Sequence, residues 1–185
     1  MFKGFFKDKV KAHDAGLLLF YVIYKGLFED DEAISANWLL NKLELDTKEL
    51  VDGYQIEIIL GVMYQAMLIV NNNYKQPTNY LIFNGLTEAY LEVLKEKGVI
   101  ADNIDYNYYL SLWEKRFKEY AEAEKKTTLW GPAYWIGKLF LENIIKKDQD
   151  ILNLTTNIRI ATCAQFLTAK LKGFEGTLKS ITVVN

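Results

Sequence analysis

The sequence predicts a single all-α domain over residues 1–185, a compact bundle of six to eight helices around one central helix at about 47–71. Three observations support this fold class. Only two prolines and eleven glycines punctuate 185 residues, half of which are hydrophobic. Apolar residues recur at three- and four-residue spacing along most of the chain. The alternating apolar and polar pattern of strands is nearly absent before residue 177.

The central helix is predicted from the stretch TKELVDGYQIEIILGVMYQAMLIVN at 47–71. Asp46 or Thr47 is expected to cap its start. Apolar side chains cover more than half of its circumference, which is typical of a helix surrounded by other helices. A membrane span is the alternative. We reject it because Glu57 and Gln65 interrupt the apolar run, which falls short of the roughly 20 residues that a span requires.

Three helices are predicted before the central one. Residues 1–12 form a short amphipathic helix with phenylalanines on one side and lysines beside them. This segment either docks on the core or makes a weak membrane-surface contact through residues 2–11. A buried helix follows at 15–28, with Asp14 as its cap, and Ser35 caps a short helix that ends at 43.

Four helices are predicted after the central one, at 79–97, from Asp102 or Asp105 to 126, at 132–147 and at 150–173, with Asp150 as the cap of the last. The last helix is expected to face the core with one apolar seam. That seam contains Leu154, Ile158, Ala161, Ala164, Leu167 and Leu171. Gly173 and Gly176 are expected to break the helix, so that 173–185 forms a short extended tail, either as a lone strand or packed along the bundle.

Composition and motifs exclude several function classes. A net charge of −2 and a pI near 5.6 give no general electrostatic drive toward nucleic acid. His13 is the only histidine, which excludes multi-histidine metal sites, and the chain has neither a Walker loop nor a Gly-x-Gly-x-x-Gly motif. We therefore expect no cofactor and no metal. No internal disulfide can form with one cysteine, and a cytoplasmic location is expected.

The most informative polar residue is Glu57 on the central helix. With Gly61 and Gln65 it forms a narrow polar stripe, flanked by Tyr54 and Tyr64. We expect this stripe to reach solvent. If it is buried instead, Glu57 must be hydrogen-bonded, paired or protonated.

Aromatic residues are abundant, with 4 Trp, 12 Tyr and 10 Phe. Trp130 and Tyr134 lie at a helix start, where either can be exposed and anchor an interface. The acidic run Glu29, Asp30, Asp31 and Glu32 is a second candidate for contact with a partner. The sequence therefore favours a non-enzymatic helical protein-binding module, such as an adaptor or an inhibitor of the immunity type, with a protein partner or a second copy of itself. A lipid-binding or apolar-ligand protein and a carboxylate-dependent enzyme are the alternatives.

Overall fold

The computed structural model describes residues 8–29, 34–96, 106–126, 129–145 and 153–184. This part of the chain contains seven α-helices and two short strands, and the predicted all-α bundle is confirmed. The elements in chain order are β1 (Asp8–Lys11), α1 (Ala12–Phe28), α2 (Ala36–Leu43), a 3₁₀ turn (Thr47–Glu49), α3 (Tyr54–Asn73), α4 (Thr78–Glu96), α5 (Tyr106–Glu124), α6 (Gly131–Ile144), α7 (Leu154–Ser180) and β2 (Ile181–Val184).

Helix α3 is the centre of the bundle, as predicted. It packs against α1, α4, α5, α6 and α7, and every residue from Ile56 to Ala66 is buried. Within the described ranges, α3 is the one helix long and apolar enough to cross a membrane, judged by length and composition alone. In the fold, 72% of the apolar part of α3 is buried, and a helix in the core of a bundle can be equally long and apolar.

The central helix begins later than predicted. Residues 47–49 form a 3₁₀ turn, and Leu50 pairs with Ile145 through an isolated antiparallel bridge. Gly53 then adopts a left-handed conformation, with a φ of 75°, directly before Tyr54. Because a residue in this conformation cannot belong to a right-handed helix, α3 starts only after Gly53.

Helices α1 and α4 touch through their backbones at two glycines. A Cβ atom on Gly16 would lie 2.0 Å from the carbonyl oxygen of Ile82, and a Cβ on Gly85 would lie 2.0 Å from that of His13. Only glycine permits so close an approach. Across the same interface, His13 Nε2 lies 2.9 Å from Glu88 Oε2. The lone histidine therefore bridges two helices.

Helix α7 is longer than predicted, because Gly173 and Gly176 do not break it and it ends at Ser180. Both glycines are exposed, whereas Phe174 and Leu178 are buried in the core. A glycine within a helix costs about 1 kcal/mol relative to alanine. Burial of a Phe or Leu side chain contributes about 1.5–3 kcal/mol each, which is enough to offset both glycines. The prediction of extended structure is therefore wrong for residues 173–180.

The first and last described segments form a two-stranded parallel sheet. Strand β1 pairs with β2 from Asp8 opposite Ile181 to Lys11 opposite Val184. The end of the predicted tail is thus a strand. The predicted N-terminal helix is wrong for residues 8–11, because β2 offers these residues backbone hydrogen-bond partners in an extended conformation. Residues 1–7 of that prediction lie outside the described ranges.

Candidate functional site

Polar side chains cross the interface between α3 and α5 inside the bundle. Arg116 donates from Nε to Glu57 Oε2 and from Nη2 to Glu57 Oε1, both at 2.7 Å. Its Nη1 donates to Glu119 Oε2, also at 2.7 Å. Burial alone would lower the pKa of Arg116, but the hydrogen bonds to Glu57 and Glu119 outweigh that effect and raise it. The guanidinium is therefore charged and holds both carboxylates.

This arrangement overturns the expectation that the Glu57–Gly61–Gln65 stripe reaches solvent, because all three residues are buried. A Cβ on Gly61 would lie 2.4 Å from the ring of Phe140 on α6 and 3.2 Å from the Tyr120 hydroxyl on α5. Glu57 thus faces Arg116 of α5, whereas Gly61 lies against Phe140. Arg116 compensates the buried charge of Glu57, which would otherwise be costly.

Tyr64 makes a second polar contact between α3 and α5, about two helical turns after Glu57. Its hydroxyl donates to Glu124 Oε2 at 2.8 Å, and its ring stacks on Tyr120 with centroids 5.2 Å apart. Burial, followed by the hydrogen bond to Glu124, raises the pKa of Tyr64 above its ordinary value. Tyr64 therefore stays protonated and acts as a donor.

The other two polar residues that the sequence singles out do not join this network. Tyr54 is half-buried in the first turn of α3, and Gln65 is buried three turns later. Neither side chain forms a hydrogen bond with a described residue. The structure thus brings Glu57 and Tyr64 to α5, but it does not join the four residues into one site.

Two buried donors have no hydrogen-bond partner among the described residues, namely the Tyr90 hydroxyl and the Trp113 indole N–H. Tyr90 lies on α4 and is fully buried. Burial, followed by the charge of Glu57, raises its pKa. A buried donor without an acceptor costs about 1–3 kcal/mol. No sequence signal identifies Tyr90, because it is one of several aromatic residues on the apolar face of its helix.

The chemistry of this network favours a structural role. Both carboxylate oxygens of Glu57 accept hydrogen bonds from Arg116, whereas an acid–base catalyst must reach the proton that it transfers. In the part of the chain that the structure describes, no three His, Cys, Asp or Glu side chains are grouped so that they could hold a metal ion. Glu57 therefore fastens α3 to α5.

An aromatic pair lies on the surface at the start of α6. The rings of Trp130 and Tyr134 stack with centroids 5.0 Å apart and planes inclined by 24°. Trp130 is 59% exposed. The Tyr134 hydroxyl donates to Asn157 Oδ1 on α7 at 2.6 Å. This tether to α7 fixes the Tyr134 ring, and thereby the surface against which Trp130 stacks.

Helix α7 turns part of its predicted inward seam away from the core. Leu154 is 76% exposed and Ile158 is 59% exposed, and of the predicted seam only Leu167 is fully buried. The buried face of α7 instead contains Thr156, Ile160, Cys163, Phe166, Leu167, Lys170, Phe174 and Leu178. The N-cap is Asn153, whose side chain accepts from two backbone N–H groups, and the expected cap Asp150 lies outside the described residues.

The rotation of α7 follows from its contact with α6. A Cβ on Gly137 would lie 2.8 Å from the carbonyl oxygen of Ile160 and 3.0 Å from the Cβ of Ala164. The two helices therefore meet at Gly137, with Ile160 turned inward. The predicted seam of α7 and its observed buried face both have helical spacing, so periodicity alone cannot decide which of the two faces the core.

Trp130, Tyr134, Leu154 and Ile158, with the groove beside them, form a surface that we call the α6–α7 face. Leu154 and Ile158 are one turn apart on the same side of α7. The groove has a volume of about 780 Å³. It is lined by Tyr134, Ile158, Ala161, Thr162, Ala164, Gln165, Thr168, Ala169 and Lys172.

The acidic run is separate from this face. Glu29 is exposed directly after α1, and Asp30, Asp31 and Glu32 lie outside the described residues. Near this end of α1, the carbonyl oxygen of Gly26 accepts a hydrogen bond from Lys170 of α7. Lys170 is about 18 Å along the helix from Ile158. The structure therefore does not bring Glu29 together with Trp130 and Tyr134.

Comparison with known proteins gives no match to a family model, to a curated protein or to a solved structure.

Proposed function

We propose that this chain is a helical protein-binding module, of the kind that serves as an adaptor or as an inhibitor of its partner, and that it binds through the α6–α7 face. The observation that carries the proposal is the outward strip of α7, where Leu154 and Ile158 stay largely exposed and Ile158 lines the same groove as Tyr134. Single apolar residues on a surface are ordinary, but a contiguous apolar patch marks an interaction site.

The aromatic pair suits an interface. Trp and Tyr are enriched among the residues that dominate binding energy at protein interfaces. Tyr134 is tethered to Asn157, and Trp130 stacks on it. Side chains that are already ordered lose less conformational entropy on binding. A partner that covers Tyr134 also leaves no unpaired hydroxyl behind, since that group already has an acceptor.

A carboxylate-dependent enzyme has less support. The sequence made Glu57 the first candidate for such chemistry, but Arg116 occupies both of its oxygens within a buried interface. Tyr64, the other member of the predicted group that reaches α5, donates to Glu124. These groups bind one another, which leaves them poorly placed to act on a substrate.

An apolar-ligand function is the second candidate, because a cleft opens between α4 and α5 above α3. Its volume is about 700 Å³, within the range of about 300–1,000 Å³ that is usual for small-molecule sites. The cleft is lined by Met67, Tyr80, Phe83, Asn84, Thr87, Glu88, Leu91, Leu110 and Trp113. Native mass spectrometry of the purified protein tests this candidate, and the absence of any co-purifying ligand mass would contradict it.

Affinity capture with matched baits tests the protein-binding proposal. The baits are the wild-type chain, Trp130→Ala, Ile158→Asp and the control Tyr21→Ala. Tyr21 lies on α1 and, at 56% exposed, is as accessible as Trp130. We expect the wild type and Tyr21→Ala to retain the same partner from a lysate of the source cells, and the two α6–α7 face variants to lose it. Equal capture by all four baits, with unchanged circular dichroism, would refute the proposal.

A further inference from the structure

We infer that the partner of the α6–α7 face presents an amphipathic helix, which lies along α7 with its apolar side on Ile158 and with acidic residues at the end beside Lys172. This inference rests on the proposed function and names the chemistry of the partner. Helices that lay an apolar side into a groove are a common mode of protein recognition.

The length and the floor of the groove match a helix. Its lining residues recur every three to four positions along α7, from Ile158 to Lys172. The distance from Ile158 to Lys172 along the helix axis is about 21 Å, or roughly four helical turns. Between the two ends the lining consists of alanine and threonine residues and one glutamine. Small side chains allow a second helix to approach to the usual interaxial distance of about 8–10 Å.

The two ends of the groove differ in chemistry, which gives the bound helix a direction. At one end Tyr134 and Ile158 require apolar contacts. At the other end Lys172 is the only charged residue among the nine that line the groove. Lys172 is exposed and forms no ion pair with a described residue. Two other basic side chains lie between residues 158 and 172 of α7. Arg159 lies 3.8 Å from Glu49, and Lys170 is buried and donates to the carbonyl oxygen of Gly26.

The unpaired ammonium group therefore selects acidic residues in the partner. Opposite charges at the edge of an interface raise the association rate and select against the wrong partners, and they contribute modestly to affinity. An exposed ion pair changes an affinity by up to about fivefold. The apolar contacts with Ile158 and Trp130 must supply most of the binding energy, and Lys172 supplies selectivity.

Three synthetic peptides of about 18 residues test the inference, since this length covers the groove. They share one stripe of Leu and Ile at helical spacing, and their first two turns carry Glu, Gln or Lys. Fluorescence anisotropy with the full-length chain gives each Kd. We expect the Glu peptide to bind up to about fivefold more tightly than the Gln peptide, and the Lys peptide most weakly. Lys172→Glu should reverse this order, and Ile158→Asp should weaken all three.

Each alternative outcome has a distinct meaning. Equal affinities for the three peptides, an order that Lys172→Glu leaves unchanged, or no binding by any peptide would overturn the inference. If affinity capture still depends on Trp130, the proposed function then stands without it. If capture is also unaffected by Trp130→Ala, the proposed function fails as well.

Two further measurements address other occupants of the face. Self-association in analytical ultracentrifugation that Ile158→Asp abolishes would make a second copy of this chain the occupant. Binding to vesicles of phosphatidylserine and phosphatidylcholine that Ile158→Asp abolishes would make a membrane surface the occupant. Either result would overturn the assignment to an acidic helix.

Discussion

Replacing Gly85 by alanine tests the direct backbone contact between α1 and α4. The new Cβ would lie 2.0 Å from the His13 carbonyl oxygen, 3.0 Å from the His13 carbonyl carbon and 3.1 Å from the Leu17 nitrogen. Ordinary contacts begin at 3.4 Å, so the nearest atom is too close by about 1.4 Å. All three atoms belong to the backbone of α1, and no side-chain rotation can relieve the overlap. The two helices must therefore move apart.

The loss of stability in Gly85→Ala can be estimated from this separation of α1 and α4. A gap of about 0.5–1 Å already removes a quarter to a half of the dispersion energy of each contact. Overpacking of a core costs about 1–3 kcal/mol, and occasionally more. Alanine in place of glycine returns about 1 kcal/mol through helix propensity. We expect the overpacking cost to lie near its upper end of about 3 kcal/mol, because only backbone atoms are in contact, so that the free energy of unfolding falls by about 2 kcal/mol in Gly85→Ala.

Gly176→Ala is the matched control. Gly176 also lies within a helix, but nothing is found within 4 Å of a Cβ built there. With no overlap, the propensity gain remains and the free energy of unfolding should rise by about 0.5–1 kcal/mol. Urea unfolding followed by circular dichroism measures both variants. A Gly85→Ala protein as stable as Gly176→Ala would refute the close backbone contact.

Three further predictions concern the buried polar groups, and urea unfolding checks each. Tyr90→Phe removes a hydroxyl without a partner and should raise the free energy of unfolding by about 1 kcal/mol; a loss would contradict this. Glu57→Leu leaves the charged, half-buried Arg116 with Glu119 as its remaining partner and should cost about 2 kcal/mol, whereas adding Arg116→Leu should recover most of it; a double variant no more stable than Glu57→Leu would refute the pairing. Burial raises the pKa of Tyr64, Tyr90 and Tyr120 from 10 in the folded state. The folded state therefore binds more protons above pH 10, and stability that is full below this pH should fall above it, by about 1.4 kcal/mol per pH unit for each such tyrosine. Equal stability at about pH 9 and about pH 11 would contradict this linkage.

Local patterns predicted the elements whose causes are local. The short helix α2 begins after Ser35, whose hydroxyl accepts from the backbone N–H of Trp38 at 3.2 Å, as its sequence position predicts. An exposed aromatic residue at the start of α6 was also predicted, and Trp130 is exposed there. At glycines within a helical pattern, the prediction was wrong in two ways: one predicted helix starts too early, and another ends too early. Helix α3 starts only after Gly53, because Gly53 adopts a positive φ. Helix α7 continues past Gly173, because the residues that follow it include Phe174 and Leu178, which are buried in the core.

The candidate site was predicted only in part, because its chemistry lies between helices. The sequence singled out Glu57, but its partner Arg116 is 59 residues away. It also singled out Trp130 and Tyr134, and the structure adds Leu154 and Ile158 beside them. These two residues were expected in the core because an outward apolar strip has the same periodicity as an inward one.

The sequence by itself determined the all-α class and the central position of α3, because helical periodicity and an almost wholly apolar circumference are properties of a single segment. The tertiary structure decided the rest. In the folded structure Glu57 is buried against α5 and does not reach solvent. Strand β1 pairs with β2 from the opposite end of the described chain. Of the two apolar strips of α7, the one that contains Ile160 and Phe166 is buried. Each of these features depends on contacts between residues far apart in sequence. Close packing at Gly137, for example, sets which side of α7 faces α6.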